Sequence, residues 1–339
     1  MPFVLDHTEN DVRSSLRNAR RVVVKLGTPV VTHVDKTVAL GRIGAIVEQI
    51  AHLVQEGREV MIVTSGAIST GSSRMHRTIA LKQSVRDSMR QSDASRQGDA
   101  RASNAGSAAV GQALMMNLYE LLFSKYNVSC AQVLITEEDL ADAQTLMQVS
   151  ESTVELLQLG TVAIVNENDA VSARSMPVFD RESGEIQWDN DVLTSRLASA
   201  VRADVLVVLT DIDSLYAEPS EPPVAQGMAS ASSTSPSGSS MPMRLSVFRS
   251  DSAVVRLGIP STGRTMGVLS DEGRGVFTGR TRMGAKGMEA MILASRTAVA
   301  AGVPAAVITT GHHPLSLQRV LRGEDVGTLF VAEPPRSKM

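Results

Sequence analysis

Three polar side chains in a row, Asp189, Asn190 and Asp191, close the stretch IQWDND and lead into a helix-patterned run, VLTSRLASAV. Such a triplet can cap the helix, gather a metal ion or form the floor of an active site. More polar residues gather where short β-branched runs end: Lys25-Leu26-Gly27-Thr28, Thr64-Ser65-Gly66-Ala67, Asn166-Glu167-Asn168-Asp169 and Thr210-Asp211. Backbone N–H groups at glycine turns that open helices attract anions. With Lys25 among them, the natural ligand is a phosphate. Taken singly, each is an ordinary turn residue, strand end or solvated charge. Their recurrence at equivalent ends of successive strands makes a shared site the stronger reading.

The segment GRTRMGAKGMEA (279–290) adds Lys286. Its spacing approaches a P-loop, but Ala285 separates the glycine from the lysine. No Ser or Thr follows, and no strand leads in, so that motif is rejected. A basic, glycine-containing loop at a helix start still suits phosphates. No HExxH, GxSxG, HRD or DFG element occurs. His312-His313 precede a proline with no carboxylate nearby and read as a loop.

The elements that must position these residues follow from periodicity. RVVVKL (21–26), EVMIVT (59–64), VSCAQVLIT (128–136), TVAIVN (161–166), DVLVVLT (204–210) and PAAVIT (304–309) read as strands. Residues 39–57 and 107–126 carry helical spacing. Continuous apolar runs mark strands covered on both faces, so an α/β fold with a mainly parallel sheet is expected. In such a sheet, ligands collect beyond the carboxyl ends of the strands. Two segments break the pattern, one rich in Ser, Arg, Gln and Asp (about 82–106) and one rich in Ser and Pro (about 217–243). Both read as solvated, mobile insertions.

Composition narrows the classes. With 43% hydrophobic and 20% charged residues, the 339-residue chain is ordinary for a globular protein. A net charge of −3 and 3% aromatics give no basis for nucleic-acid binding or for docking on an acidic membrane. The lone cysteine, Cys130, excludes an intramolecular disulfide framework or a Cys-rich zinc site. No signal peptide or membrane span is read, so a cytoplasmic location is expected.

The blocks VVVKLGT, IVTSGAI, AAVGQ, IVNENDAV, DNDVLTSRLA, LTDIDSLY, RMGAKGMEA and GTLF occur in order. Together they resemble the glutamate 5-kinases of the amino acid kinase family. The resemblance implies a three-layer αβα sandwich and transfer of the ATP γ-phosphate to the side-chain carboxylate of L-glutamate, the first step of proline synthesis. It implies an amino acid kinase domain over 21–333, preceded by an N-terminal extension (1–20), with no C-terminal PUA or reductase domain. It places Lys25 and Lys286 beside the transferring phosphoryl group, with Asp191 holding the lysines. Ser65, Gly66, Asn166, Asp169 and Asn190 would take glutamate. Gly27, Thr210, Asp211, Arg282 and Met283, with both lysines, would face the nucleotide, whose Mg²⁺ would arrive with it rather than sit on a protein metal site. A separate glutamyl phosphate reductase, proline as feedback inhibitor and a homo-oligomer are the further implied partners. An acceptor such as aspartate, or a non-catalytic regulatory protein, are the competing readings.

Several residues depart from the family pattern. Thr281 and Arg282 replace two glycines, Ser214 replaces a glycine, and Pro29 stands where serine is usual. The stretch 137–153 lacks the usual Arg- and Asn-containing pattern of the region tied to substrate binding and proline feedback.

Overall fold

The computed structural model describes residues 9–75, 99–172, 190–217, 243–248, 255–259, 264–269, 275–277 and 284–332. The helices are α1 (Glu9–Ser15), α2 (Thr28–Val31), α3 (Leu40–Gln55), α4 (67–75), α5 (Asp99–Ser124), α6 (Glu137–Ala141), α7 (Ala143–Gln158), α8 (Asn190–Ala200), α9 (Gly284–Ala300) and α10 (Ser316–Leu321). The strands are β1 (Arg21–Leu26), β2 (Glu59–Thr64), β3 (Cys130–Ile135), β4 (Val162–Glu167), β5 (Val205–Thr210), β6 (Leu215–Ala217), β7 (Met243–Leu245), β8 (Val247–Phe248), β9 (Val255–Ile259), β10 (Arg264–Leu269), β11 (Gly275–Phe277), β12 (Ala305–Thr310) and β13 (Thr328–Val331).

An eight-stranded sheet runs β3-β4-β2-β1-β5-β12-β13-β8. Its neighbours pair in parallel except β12 with β13. The central strands are covered on both faces, as their unbroken apolar runs require. Val22, Val24 and Leu26 share one core with Ile43, Ile50, Tyr119, Phe123 and Leu317 of α3, α5 and α10. Val23, Val63, Val165 and Val208 share the other with Leu193, Leu197, Met291 and Ile292 of α8 and α9. The expected three-layer αβα sandwich with a mainly parallel sheet is therefore what forms. No helix among the described residues is long and apolar enough to cross a membrane.

Register brings the strand ends level. Lys25 lies opposite Val63 and Val208; Val63 lies opposite Val165, and Val208 opposite Ile308. The loops after β4, β2, β1, β5 and β12 consequently open at one edge.

Several elements differ from the sequence expectation. The helix expected over 107–126 starts at Asp99, so residues 99–106 are helical rather than part of an irregular insertion. Helix formers Ala100, Arg101, Ala102 and Ala105 favour that extension. A second sheet, β11-β10-β9-β6-β7, is antiparallel. Its short strands carry too few apolar residues to announce themselves. Ala217 pairs with Met243, so the chain enters and leaves the Ser/Pro-rich stretch across one hairpin ladder. The stretches 76–98 and 218–242 lie outside the described residues. At the N-terminus, Val12, Leu16 and Ala19 enter the first core, and the buried Arg13 guanidinium donates to the carbonyls of Ser246 and Val326.

Two glycines set the height of α4. A Cβ on Gly111 would stand 1.8 Å from Ala67 O, and one on Gly71 would stand 1.7 Å from Ser107 O. Helices α4 and α5 therefore cross backbone against backbone, which fixes where the Ser65-Gly66 turn begins. Gly44, inside α3, has nothing within 4 Å of its missing Cβ. Gly111→Ala should destabilise the protein by at least about 2 kcal/mol through overpacking, whereas Gly44→Ala should stabilise it by up to about 1 kcal/mol. Urea unfolding of the two variants checks both signs.

Candidate active site

Lys25 is the penultimate residue of β1 and shares a face with Val23, the face that α8 covers. Its Nζ lies 2.7 Å from Oδ1 of Asp191, and the two side chains are 3% and 2% exposed. Asp191 sits in the first turn of α8, where the helix dipole favours a carboxylate. Of the three readings of the 189–191 triplet, the helix start is what forms at Asn190 and Asp191. Asp189 lies outside the described residues.

The neighbouring loops add polar groups at the same edge. The Ser65 N–H donates to Leu26 O at 3.1 Å, carrying the β1–β2 ladder one step further. Gly66 has φ +97°, and a Cβ there would stand 2.6 Å from Val31 Cγ2, so this turn accepts only glycine. Asn190 Nδ2 donates to Ser65 Oγ at 3.2 Å, while its Oδ1 is buried with no hydrogen-bond partner among the described residues. Asn166 Nδ2 donates to Thr64 O at 2.6 Å, and Thr64 Oγ1 shares a hydrogen bond with Tyr119 Oη at 3.0 Å. Burial pushes the Tyr119 phenol well above its usual range, so it stays neutral. Asp169 follows β4 in a turn closed by Val171 and Ser172 N–H groups donating to Asn168 O. Burial pushes its carboxyl up to about 6.

On the other side of β1, Thr210 Oγ1 donates to Asp211 Oδ1 at 3.2 Å, and Thr210 O accepts from the Gly311 N–H at 2.7 Å. Gly27 departs from its expected role as an anion donor. Its N–H donates to Leu209 O at 3.0 Å, because the β1–β5 ladder continues past the strand. Pro29 then sits at the start of α2, where a missing N–H costs nothing. His312 and His313 lie in a loop, as expected.

Lys286 is in the first turn of α9; its side chain, and the whole of Arg282 and Met283, lie outside the described residues. The helix itself is informative. Helices α8 and α9 end level: Ser199 Oγ donates to Ala301 O, and the positive-φ residues Arg202 and Gly302 follow them equivalently. Strands β5 and β12 then start in register. With 17 residues against 11, α9 begins about 9 Å further out along the same direction. The Lys286 backbone therefore stands beyond the level of the Lys25–Asp191 pair.

Sequence reasoning missed the supports. Tyr119 fastens Thr64 from the opposite face of the sheet, and Gln112 Nε2 donates to Glu167 O at 3.0 Å just before the Asp169 turn. The AAVGQ block held the only signal, a glycine-glutamine pair inside a helix.

Comparison with known proteins settles the family. Residues 20–232 match the model of the amino acid kinase family. The chain belongs to the amino acid kinase family. It is 34% identical over 329 residues to a protein named glutamate 5-kinase from Symbiobacterium thermophilum, covering 95% of this chain and 100% of that one. A glutamate 5-kinase from Moorella thermoacetica is 33% identical, covering 97% and 71%. The delta-1-pyrroline-5-carboxylate synthase of Solanum lycopersicum is 35% identical over 95% of this chain, which spans only 39% of that longer relative. Among solved structures, a UMP kinase from Bacillus anthracis aligns at 15% identity with a TM-score of 0.49, covering 92% and 96%; that likeness is too loose to bear on function.

Replacing one member of a buried ion pair leaves the other charge uncompensated. Lys25→Met should therefore destabilise the protein by about 3–5 kcal/mol, whereas Lys25→Met with Asp191→Leu should recover most of that loss. Urea unfolding midpoints of the two variants provide the check.

Proposed function

We propose that the chain phosphorylates the side-chain carboxylate of L-glutamate from ATP, giving L-glutamyl 5-phosphate and ADP, as the first step of proline synthesis. The buried Lys25–Asp191 pair, seated beside the Ser65, Asn166, Asp169 and Asn190 group at the carboxyl edge, is the observation that carries this reading. The glutamate 5-kinase relatives matched along nearly the whole chain support it.

Each group has work in such a transfer. A carboxylate oxygen of glutamate attacks the γ-phosphorus, the bond to the β,γ-bridging oxygen breaks, and ADP leaves with that electron pair. No proton moves, so no general base is required. Charge compensation and positioning remain the protein's contribution. An ammonium offers three N–H donors. Asp191 takes one from Lys25 and fixes its direction, and the others serve the phosphoryl oxygens. Lys286 approaches the same group from α9. Ser65 and the Gly66 turn hold the α-carboxylate of glutamate, Asp169 and Asn190 its α-ammonium, and Asn166 supports them. Gly27, Thr210 and Asp211 border the nucleotide, and the family resemblance adds Arg282 and Met283 to the residues that bind it.

Mg²⁺ fits this arrangement as a partner of the nucleotide. Mg²⁺ commonly relies on substrate phosphates with few protein carboxylates. Bound there, it would neutralise charge on the phosphates. The reading also assigns a cytoplasmic homo-oligomer, a reductase that consumes the labile acyl phosphate, and proline as feedback ligand.

Two measurements test the reading. ADP release from Mg-ATP should depend on L-glutamate, with γ-glutamyl hydroxamate trapped by hydroxylamine, and should be absent with aspartate or N-acetylglutamate. Turnover on another acceptor would overturn the substrate, and none on any acceptor would overturn the kinase. The second is pH dependence. The folded Asp169 carboxyl is raised from 3.8 to about 6, so protonation favours the unliganded fold. That contribution is fully present below about 3.8 and lost as pH rises through about 6. The substrate ammonium needs the ionised form. The KM for glutamate should thus rise as pH falls through about 6, and Asp169→Asn, with a higher KM throughout, should lose that inflection.

A further inference from the structure

Buried polar atoms without a hydrogen-bond partner are rare, because each loses its hydration for no return. Among the described residues, Ser172 Oγ and Asn190 Oδ1 are two of them. Both adjoin the substrate side of the site. The Ser172 N–H donates to Asn168 O at 2.9 Å and the Val171 N–H to the same oxygen at 3.0 Å. Residues 168–172 therefore form one hydrogen-bonded turn, which carries Asp169 and Ser172 three positions apart. Asn190 is tied to Ser65 through its Nδ2, leaving the Oδ1 as the unused end. Burial raises the Asp169 carboxyl, and among the described residues no ionic partner contributes.

A carboxylate, an amide oxygen and a hydroxyl oxygen are all acceptors. The Ser172 hydroxyl can also donate, but a ligand that brings several N–H donors on one centre, as a primary ammonium does, suits all three. Resting on the reading that the site takes L-glutamate, we infer that Ser172 is a further substrate-binding residue. Its Oγ accepts one N–H of the α-ammonium, with Asp169 and Asn190 Oδ1 accepting the others. An acylated nitrogen would leave at least one of these acceptors buried and empty, so Ser172 also contributes to selection for a free amino group.

The inference separates binding from stability. Removing an unpaired buried hydroxyl does not weaken the unliganded fold, whereas removing a hydrogen bond to a charged ligand weakens binding. The test compares the full wild-type chain with Ser172→Ala and Ser172→Thr by glutamate-dependent ADP release at pH 7.5 and by thermal melting without ligands. For Ser172→Ala, the KM for glutamate should rise about tenfold, with kcat changed less than about twofold and the melting midpoint unchanged or higher. Ser172→Thr, which keeps the hydroxyl, should restore most of the KM. An unchanged KM in Ser172→Ala, or a raised KM with a lowered midpoint, overturns the inference while leaving the kinase reading intact. A wild-type chain without glutamate-dependent ADP release overturns both.

Discussion

An ammonium and a carboxylate 2.7 Å apart, almost sealed from water, constrain everything around them. Burying either Lys25 or Asp191 without the other would cost about 3–5 kcal/mol, a large part of a domain's stability margin. Their pairing dictates that β1 and the start of α8 meet at one height. It also dictates that the strands flanking β1 finish level with it. The parallel register from β4 through β2, β1 and β5 to β12 meets that demand. Replacing such a pair by apolar residues is often neutral or stabilising in other proteins. Stability is therefore a poor reason for it, and a role for the Lys25 charge at the open edge is a good one.

The rest of the site is held by contacts that cross the sheet. Helices α4 and α5 touch at Gly71 and Gly111 with no room for a methyl group. That crossing locates the Ser65-Gly66 turn, and Asn190 then closes onto Ser65 from the opposite layer. Tyr119 and Gln112, both on α5, anchor Thr64 and the backbone of Glu167. Polar groups at the carboxyl edge on one face thus depend on a helix packed against the other. Substitutions far from the edge along α5 would be felt at Asp169.

Much of this was legible in the chain. RVVVKL, EVMIVT and VLVVLT could be nothing but buried strands, and polar residues immediately after such runs fall at a sheet edge in any parallel arrangement. What could not be read has particular causes. The pairing of Lys25 with Asp191 joins residues 166 positions apart; nothing local encodes it, and only the family resemblance supplied it. The Gly27 N–H looked available because a glycine turn says nothing of the Leu209 carbonyl waiting on the next strand. The second sheet was hidden by short strands set between long connections. In 137–153 the signal was present and went unread: Thr136 and Asp139 form a reciprocal capping box, and Asp142 caps α7.

The central claim is that the Lys25 charge serves phosphoryl transfer rather than folding. A single-turnover measurement on Lys25→Met with Asp191→Leu tests it most directly, because that variant retains a folded core. The account predicts near-native unfolding stability together with loss of phosphoryl transfer to glutamate at saturating Mg-ATP. Transfer at the wild-type rate in that folded variant would contradict it.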